Sequence, residues 1–222
     1  MPRVARGLAD GLIYHIINRG NGRQQVFHTE GDYRCFVDLM AEGRERYPVK
    51  LLAWCLMPNH FHLLVSPERG EDLSRWMQWV MTSHVRRYHR LYQSSGHVWQ
   101  GRYKSFVVQN DAHLLTVARY IEGNPVRANL VTSSRNWCWS SHREQITGSH
   151  KSIDGLPVAL PEDWNSYVDQ PLTVTEMERL KMSMQRQAPF GSPPWQTQIC
   201  RELGLESTLA PKGRPRKWGQ EK

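Results

Sequence analysis

Trp54-Cys55-Leu56-Met57-Pro58-Asn59-His60-Phe61-His62-Leu63-Leu64-Val65 is the stretch on which the reading of this chain turns. After Pro58 the aromatic and aliphatic residues, bounded by Pro58-Asn59 before and Ser66-Pro67 after, predict a strand. Side chains alternate between the two faces of a strand. His60 and His62 therefore share one face, and Phe61 enters the other. Two imidazoles one pleat apart can share one divalent cation; a pair of solvated surface histidines has the same spacing. Zinc hydrolases with a His-x-His pair usually supply Asp and further His soon after it, whereas Leu63, Leu64 and Val65 follow here. A third ligand and a chemical partner must come from elsewhere.

Residues 111–125, Asp-Ala-His-Leu-Leu-Thr-Val-Ala-Arg-Tyr-Ile-Glu-Gly-Asn-Pro, supply candidates. Asp111 is a good N-cap, and Leu114, Leu115, Ala118 and Ile121 have helical spacing. Tyr120 and Asn124 are four apart, so one helical face can carry both, a hydroxyl nucleophile beside a carboxamide ligand. Two plainer readings fit as well: Tyr120 as a core residue, and Asn124 as the N-cap of a helix starting at Pro125.

Four stretches add to this: Tyr14-His-Ile-Ile-Asn-Arg-Gly-Asn21, Met57-Pro-Asn-His-Phe-His62, Gly96-His-Val-Trp-Gln-Gly-Arg-Tyr-Lys-Ser105 and Arg119-Tyr-Ile-Glu-Gly-Asn-Pro-Val-Arg-Ala128. In this order they resemble the single-tyrosine HUH transposases, and within them the REP-associated tyrosine transposases. The resemblance covers roughly residues 8 to 145. It implies a ferredoxin-like fold and cleavage of single-stranded DNA through a covalent 5′-phosphotyrosine. It makes His60 and His62 metal ligands, Tyr120 the nucleophile and Asn124 the third ligand, where many related transposases have Gln. Mg²⁺ or Mn²⁺ is the expected cofactor, because phosphate and carboxamide oxygens are hard ligands.

Working outward, strands are predicted at 12–18, 49–57, 60–66 and 98–109, and helices at 29–46, 72–92 and 111–124. The order β-α-β-β-α-β-α is that of an α+β, ferredoxin-like antiparallel sheet with helices packed on one face. The 72–92 helix buries Leu73, Trp76, Val80, His84, Tyr88 and Leu91, and carries Arg86 and Arg90 on other faces. Arg19-Gly-Asn-Gly-Arg23 could hold a phosphate through Arg19 or Arg23, or simply turn the chain. On the 98–109 strand Gln100, Arg102 and Lys104 would share a face at a spacing suited to successive phosphates. Trp137-Cys-Trp-Ser-Ser141 suggests a closure against the core.

Three regions follow: a catalytic domain over residues 1–150, a helical C-terminal extension over 151–205, and a basic tail over 206–222. In the extension, helices are predicted at 173–187, capped by Thr173 or Thr175 with Glu178 nearby, and at 195–205. The tail sequence Pro211-Lys-Gly-Arg-Pro-Arg-Lys217 resembles an AT-hook, in which Arg214 and Arg216 would lie in the minor groove of A·T-rich duplex. The plainer reading is an unstructured solubilising tail.

The 222 residues carry 29 Lys and Arg against 21 Asp and Glu, a formal charge of +8 that favours a polyanionic partner. Nine Trp and eight Tyr beside that charge suit single-stranded nucleic acid, whose free bases stack on aromatic planes, although at least half of the Trp are expected in the core; single-stranded or hairpin DNA is the partner that the resemblance implies. The four cysteines are widely separated, which argues against a structural zinc site and fits free thiols in a reducing compartment. No apolar run approaches a membrane span and no signal peptide is visible. These features predict a cytoplasmic monomer or homodimer without a membrane segment. A non-cleaving DNA-hairpin-binding protein would need the same basic surface but not Tyr120. A replication initiator or relaxase usually sets its histidines and tyrosine in other contexts.

Overall fold

The computed structural model describes residues 7–149 and 151–210. Its four strands are β1 (Ile13–Arg19), β2 (Val49–Met57), β3 (His60–Pro67) and β4 (Lys104–Val108). They run in the order β2-β3-β1-β4, each antiparallel to its neighbours. Helix α1 (Glu30–Arg46) joins β1 to β2, and α2 (Gly70–Tyr92) joins β3 to β4. The architecture is thus the α+β, ferredoxin-like sandwich, followed by helices α3 (Ala112–Glu122), α4 (Asn124–Arg127), α5 (His142–Thr147), α6 (Trp164–Asp169), α7 (Val174–Arg186) and α8 (Pro193–Leu203).

Strand parity divides the core in two. Tyr14, Ile16, Trp54, Leu56, Phe61, Leu63, Val65 and Val107 pack with Phe36 and Met40 of α1 and with Leu73, Trp76, Met77 and Val80 of α2. A Cβ on Gly43 would sit 2.7 Å from Trp76, so glycine is what lets the two helices approach so closely. Residues of the other parity, among them Ile13, Ala53, Cys55, Met57, Leu64, Phe106 and Val108, meet the stripe Leu114, Val117, Ala118 and Ile121 of α3. Helices on a single face, the expected arrangement, therefore describes only α1 and α2. Helix α3 covers the opposite face because its own apolar stripe needs a sheet to bury it.

Side chains pin these elements. Thr29 N and His28 N donate to Asp32 Oδ2 at 2.9 Å, and Tyr92 Oη donates to the same oxygen at 2.6 Å, tying the start of α1 to the end of α2. Buried Glu122, at the end of α3, accepts from Ser141 Oγ (2.6 Å), His142 Nδ1 (2.8 Å) and Trp164 Nε1 (2.8 Å). Burial works to lower the pKa of His142, but the hydrogen bond and charge of Glu122 outweigh it and the net shift is upward. The pair fixes the end of the tyrosine helix against α5 and α6.

Both sheet edges are covered, which removes a template for edge-to-edge association. Leu56 N donates to Trp139 O and Ser141 N to Trp54 O, so the Trp137–Ser141 segment closes the β2 edge as expected. Phe190 N donates to Val107 O, and Gln109 N to Phe190 O, on the β4 edge. Residues of the extension, Trp164, Val168, Leu172, Leu180 and Phe190, share the core beneath α3. Helix α7 takes Thr173, the first of the two expected caps, and completes the capping box with Glu176 in place of Glu178.

Two expectations are corrected. The fourth strand is only Lys104–Val108, because Gly101 at φ +130° breaks extended pairing before it. Leu91, expected in the buried stripe of α2, is 53 % exposed, beyond the reach of the sheet. Arg214 and Arg216 lie outside the described residues.

Candidate active site

The register of β1 and β3 determines which side chains meet. Ile17 is opposite His62, and Arg19 opposite His60, so His15, Arg19, His60 and His62 all belong to the face beneath α3. The Tyr120 ring meets His62 edge-on, with centroids 5.4 Å apart. The His60 and His62 rings are themselves 5.0 Å apart. The packing of α3 thus brings together a pair and a tyrosine that lie far apart in the chain.

Hydrogen bonds orient the His60 imidazole. Asn59 Nδ2 donates to Arg23 O at 3.2 Å, which turns Asn59 Oδ1 toward His60 Nδ1, 2.7 Å away. That oxygen can only accept, so His60 carries its hydrogen on Nδ1 and presents a bare Nε2. Arg23 contributes here through its carbonyl, from a left-handed backbone at φ +65°. His62 Nδ1 is engaged at 2.9 Å by Nε2 of buried His15, leaving Nε2 as its open nitrogen.

Both ligand candidates are held neutral. Burial and then Arg19 push His60 down to about 4, while a side-chain hydrogen bond with Asn124 works the other way. Burial, then His60 and His15, hold His62 well below the usual imidazole value. Neutral imidazoles are the form that binds a cation.

Asn124 is buried, and its Nδ2 has no partner. Helix α4 takes Gly123 as its N-cap and shows no side-chain cap bond. The capping alternative is therefore not what the Asn124 side chain does; its carboxamide lies beside His60. Among the described residues no three His, Cys, Asp or Glu side chains are grouped to hold a metal. A cation here would take His60, His62 and the Asn124 carboxamide, a mixed nitrogen and oxygen set that suits a hard ion keeping open positions for water or phosphate.

Tyr120 is half-buried. Burial raises its pKa, and Arg127 and Arg19 pull it back down. The Arg127 guanidinium lies 4.2 Å over the ring and also donates to the Tyr120 carbonyl. A cavity of about 610 Å³ opens beside the ring, lined by Arg19, Gln100, Arg102, Lys104, Lys181 and Gln185 among others. Gln100 and Arg102 do not reach it by strand alternation, as expected, but from the irregular segment before β4. Arg86 and Arg90 are exposed on α2, across the sheet from Tyr120. Arg86 instead lines, with Arg102, Met81, Val85 and Trp99, a second and largely apolar cavity of about 670 Å³.

Sequence reading missed His15, Arg127 and Lys181. His15 shares the strand parity of Arg19, and Arg127 lies one turn past Asn124 and two past Tyr120, so both left a signal. Lys181 comes from α7 and left none. No helix among the described residues is long and apolar enough to cross a membrane.

Residues 9–124 match the family model described as "Transposase IS200 like". A Haemophilus influenzae protein named for the REP-associated tyrosine transposases is 26 % identical over 136 residues, 56 % of this chain and 72 % of that protein. The Escherichia coli K12 REP-associated tyrosine transposase is 23 % identical over 141 residues, 62 % of this chain and 81 % of its own. Among solved structures, a REP-associated tyrosine transposase bound to a REP hairpin superposes with a TM-score of 0.55 at 19 % identity, over 78 % of this chain and 99 % of the other. That likeness supports the fold, and the family match covers the strands, the histidine pair and the tyrosine helix. The chain belongs to the IS200-like transposases, enzymes of the transposase kind.

Proposed function

We propose that the protein is a metal-dependent single-stranded DNA endonuclease and strand transferase that works beside hairpins of the REP type through a 5′-phosphotyrosine. The observation that carries this reading is Tyr120 packed edge-on to His62, in a cavity ringed by cations. The family match and the hairpin bound by the structural neighbour support the substrate class.

His60, His62 and Asn124 would hold Mg²⁺ or Mn²⁺, which supplies Lewis-acid polarisation of a phosphate oxygen. Arg19, Arg102, Lys104 and Lys181 bind the flanking phosphates and orient the strand. Tyr120 Oη attacks the scissile phosphorus. The Oη–P bond forms as the P–O3′ bond breaks, giving a 5′-phosphotyrosine and, after proton uptake, a free 3′-hydroxyl. The tyrosyl proton must leave during attack, and Arg127 and Arg19 favour the phenolate against the cost of burial. One phosphodiester replaces another, so a 3′-hydroxyl can reverse the step without an energy source. Each chain offers one Tyr120, so two cleavages need two active sites in a homodimer or two turnovers of a monomer. A cytoplasmic setting suits this substrate and the free cysteines. The tail, through Arg214 and Arg216, would add contacts to A·T-rich duplex.

The test is incubation with a hairpin carrying single-stranded flanks, with and without Mg²⁺ or Mn²⁺. Metal-dependent cutting in the flank and none in fully paired DNA is the expected result. Tight binding with no cutting in either metal would favour the non-cleaving hairpin-binding alternative.

A further inference from the structure

His15 has no part in the chemistry above, yet it is fully buried against the site. Its ring lies edge to edge with that of His62, with centroids 5.0 Å apart and planes within 10°. The edge of Phe106 closes it in at 4.8 Å. His15 Nε2 and His62 Nδ1 are 2.9 Å apart, a distance at which two neutral rings must share one hydrogen. Only two placements exist. With the hydrogen on His15 Nε2, His62 carries its own on Nε2 and has no lone pair there for a cation. With the hydrogen on His62 Nδ1, its Nε2 is bare and His15 moves its hydrogen to Nδ1. That His15 Nδ1 is buried with no partner, so the second placement leaves a donor unsatisfied.

We propose that His15 is a positioning residue: by accepting the hydrogen of His62 Nδ1 it holds His62 in the tautomer whose Nε2 can take the cation. The proposal rests on the metal reading above. A ligating histidine generally gives its second nitrogen to a fixed acceptor, which sets tautomer and ring angle. His60 has Asn59 for this purpose; His62 has His15. The orphaned His15 Nδ1 sets the pair apart from an ordinary carbonyl acceptor.

The test uses the full chain labelled with ¹⁵N-histidine. In Mg²⁺, both His15 and His62 should show the Nδ1–H tautomer. His15→Phe keeps a ring but removes the acceptor, and Mn²⁺ affinity by calorimetry should fall about 10–100-fold. His15→Gln offers a carbonyl oxygen and should recover part of that loss. His62 found as Nε2–H in Mg²⁺, or unchanged Mn²⁺ affinity in His15→Phe, overturns the proposal alone. Three imidazole nitrogens coupled to bound Mn²⁺ in pulsed electron paramagnetic resonance would make His15 a ligand and overturn it too. A wild-type protein that takes up no Mn²⁺ would sink this proposal together with the metal reading.

Discussion

On β3 the two faces of the sheet can be compared residue by residue. Phe61, Leu63 and Val65 enter a core of apolar rings beneath α1 and α2. Their neighbours His60 and His62 stand on the other face, beneath α3, beside Tyr120 and a cavity with four cationic residues on its lining. Within each face the environment is matched to its residues. The first face is the one that closes the fold. The second also buries apolar residues, but it places two imidazoles and a phenol in a pocket where burial favours the neutral form of each. One strand thus carries stability on one side and chemistry on the other.

The largest effects should separate along that line. Phe61→Ala should cost about 3–5 kcal/mol of stability, while the folded fraction cuts DNA within a fewfold of the wild-type rate. His62→Ala should cut at least about a hundredfold more slowly, and its loss of stability, about 1–3 kcal/mol from the unpaired His15 nitrogen, should be smaller than that of Phe61→Ala. Chemical denaturation and single-turnover cleavage check the two. An active His62→Ala protein would break the comparison.

A smaller effect concerns acid. Burial pushes His15, on the site face, down to about 3 and His84, on the helix face, down to about 4. Below pH 6.5 the unfolded chain takes up protons that these folded imidazoles refuse. Stability should therefore fall as pH drops from about 6.5 toward 4, by about 1.4 kcal/mol per pH unit for each, and neither should matter above pH 7. His142 acts in the opposite direction, since its folded pKa is raised: it adds stability below 6.5 that is lost as pH rises through its folded value. His84→Phe and His15→Phe should each flatten the acid limb. An equal slope in wild type and both variants would contradict the neutral burial of these rings.

The smallest effect compares cations across the sheet. Lys104→Ala or Lys181→Ala should weaken single-stranded DNA binding by about 1 kcal/mol and lower the salt slope by about one ion. Arg90→Ala, on the exposed side of α2, should do neither. Equal losses from both sets would mean that the DNA path runs over α2 as well.

The strand and helix periodicities were sufficient to find β2 and the paired histidines, because alternation on a half-buried sheet is a local signal. The capped helix after Asp111 was legible for the same reason: its side chain accepts from His113 N at 2.8 Å, as an N-cap should. What could not be read was which face α3 would cover, since that depends on the apolar partners of Leu114, Val117 and Ile121 across the sheet. The late start of the fourth strand turned on the backbone of one glycine, Gly101. Lys181 reaches the site only because α7 folds back along β4, a contact with no local sequence mark. His15 was the one missed residue that parity alone could have placed.

The central claim is that Tyr120 is the nucleophile on the histidine face. It is tested most directly by trapping the covalent adduct on a single-stranded hairpin substrate and mapping the modified peptide by mass spectrometry. The account predicts a phosphodeoxynucleotide on Tyr120, absent from a folded and DNA-binding Tyr120→Phe protein. An adduct on Tyr88, Tyr92 or Tyr103, or one that persists in Tyr120→Phe, would contradict it.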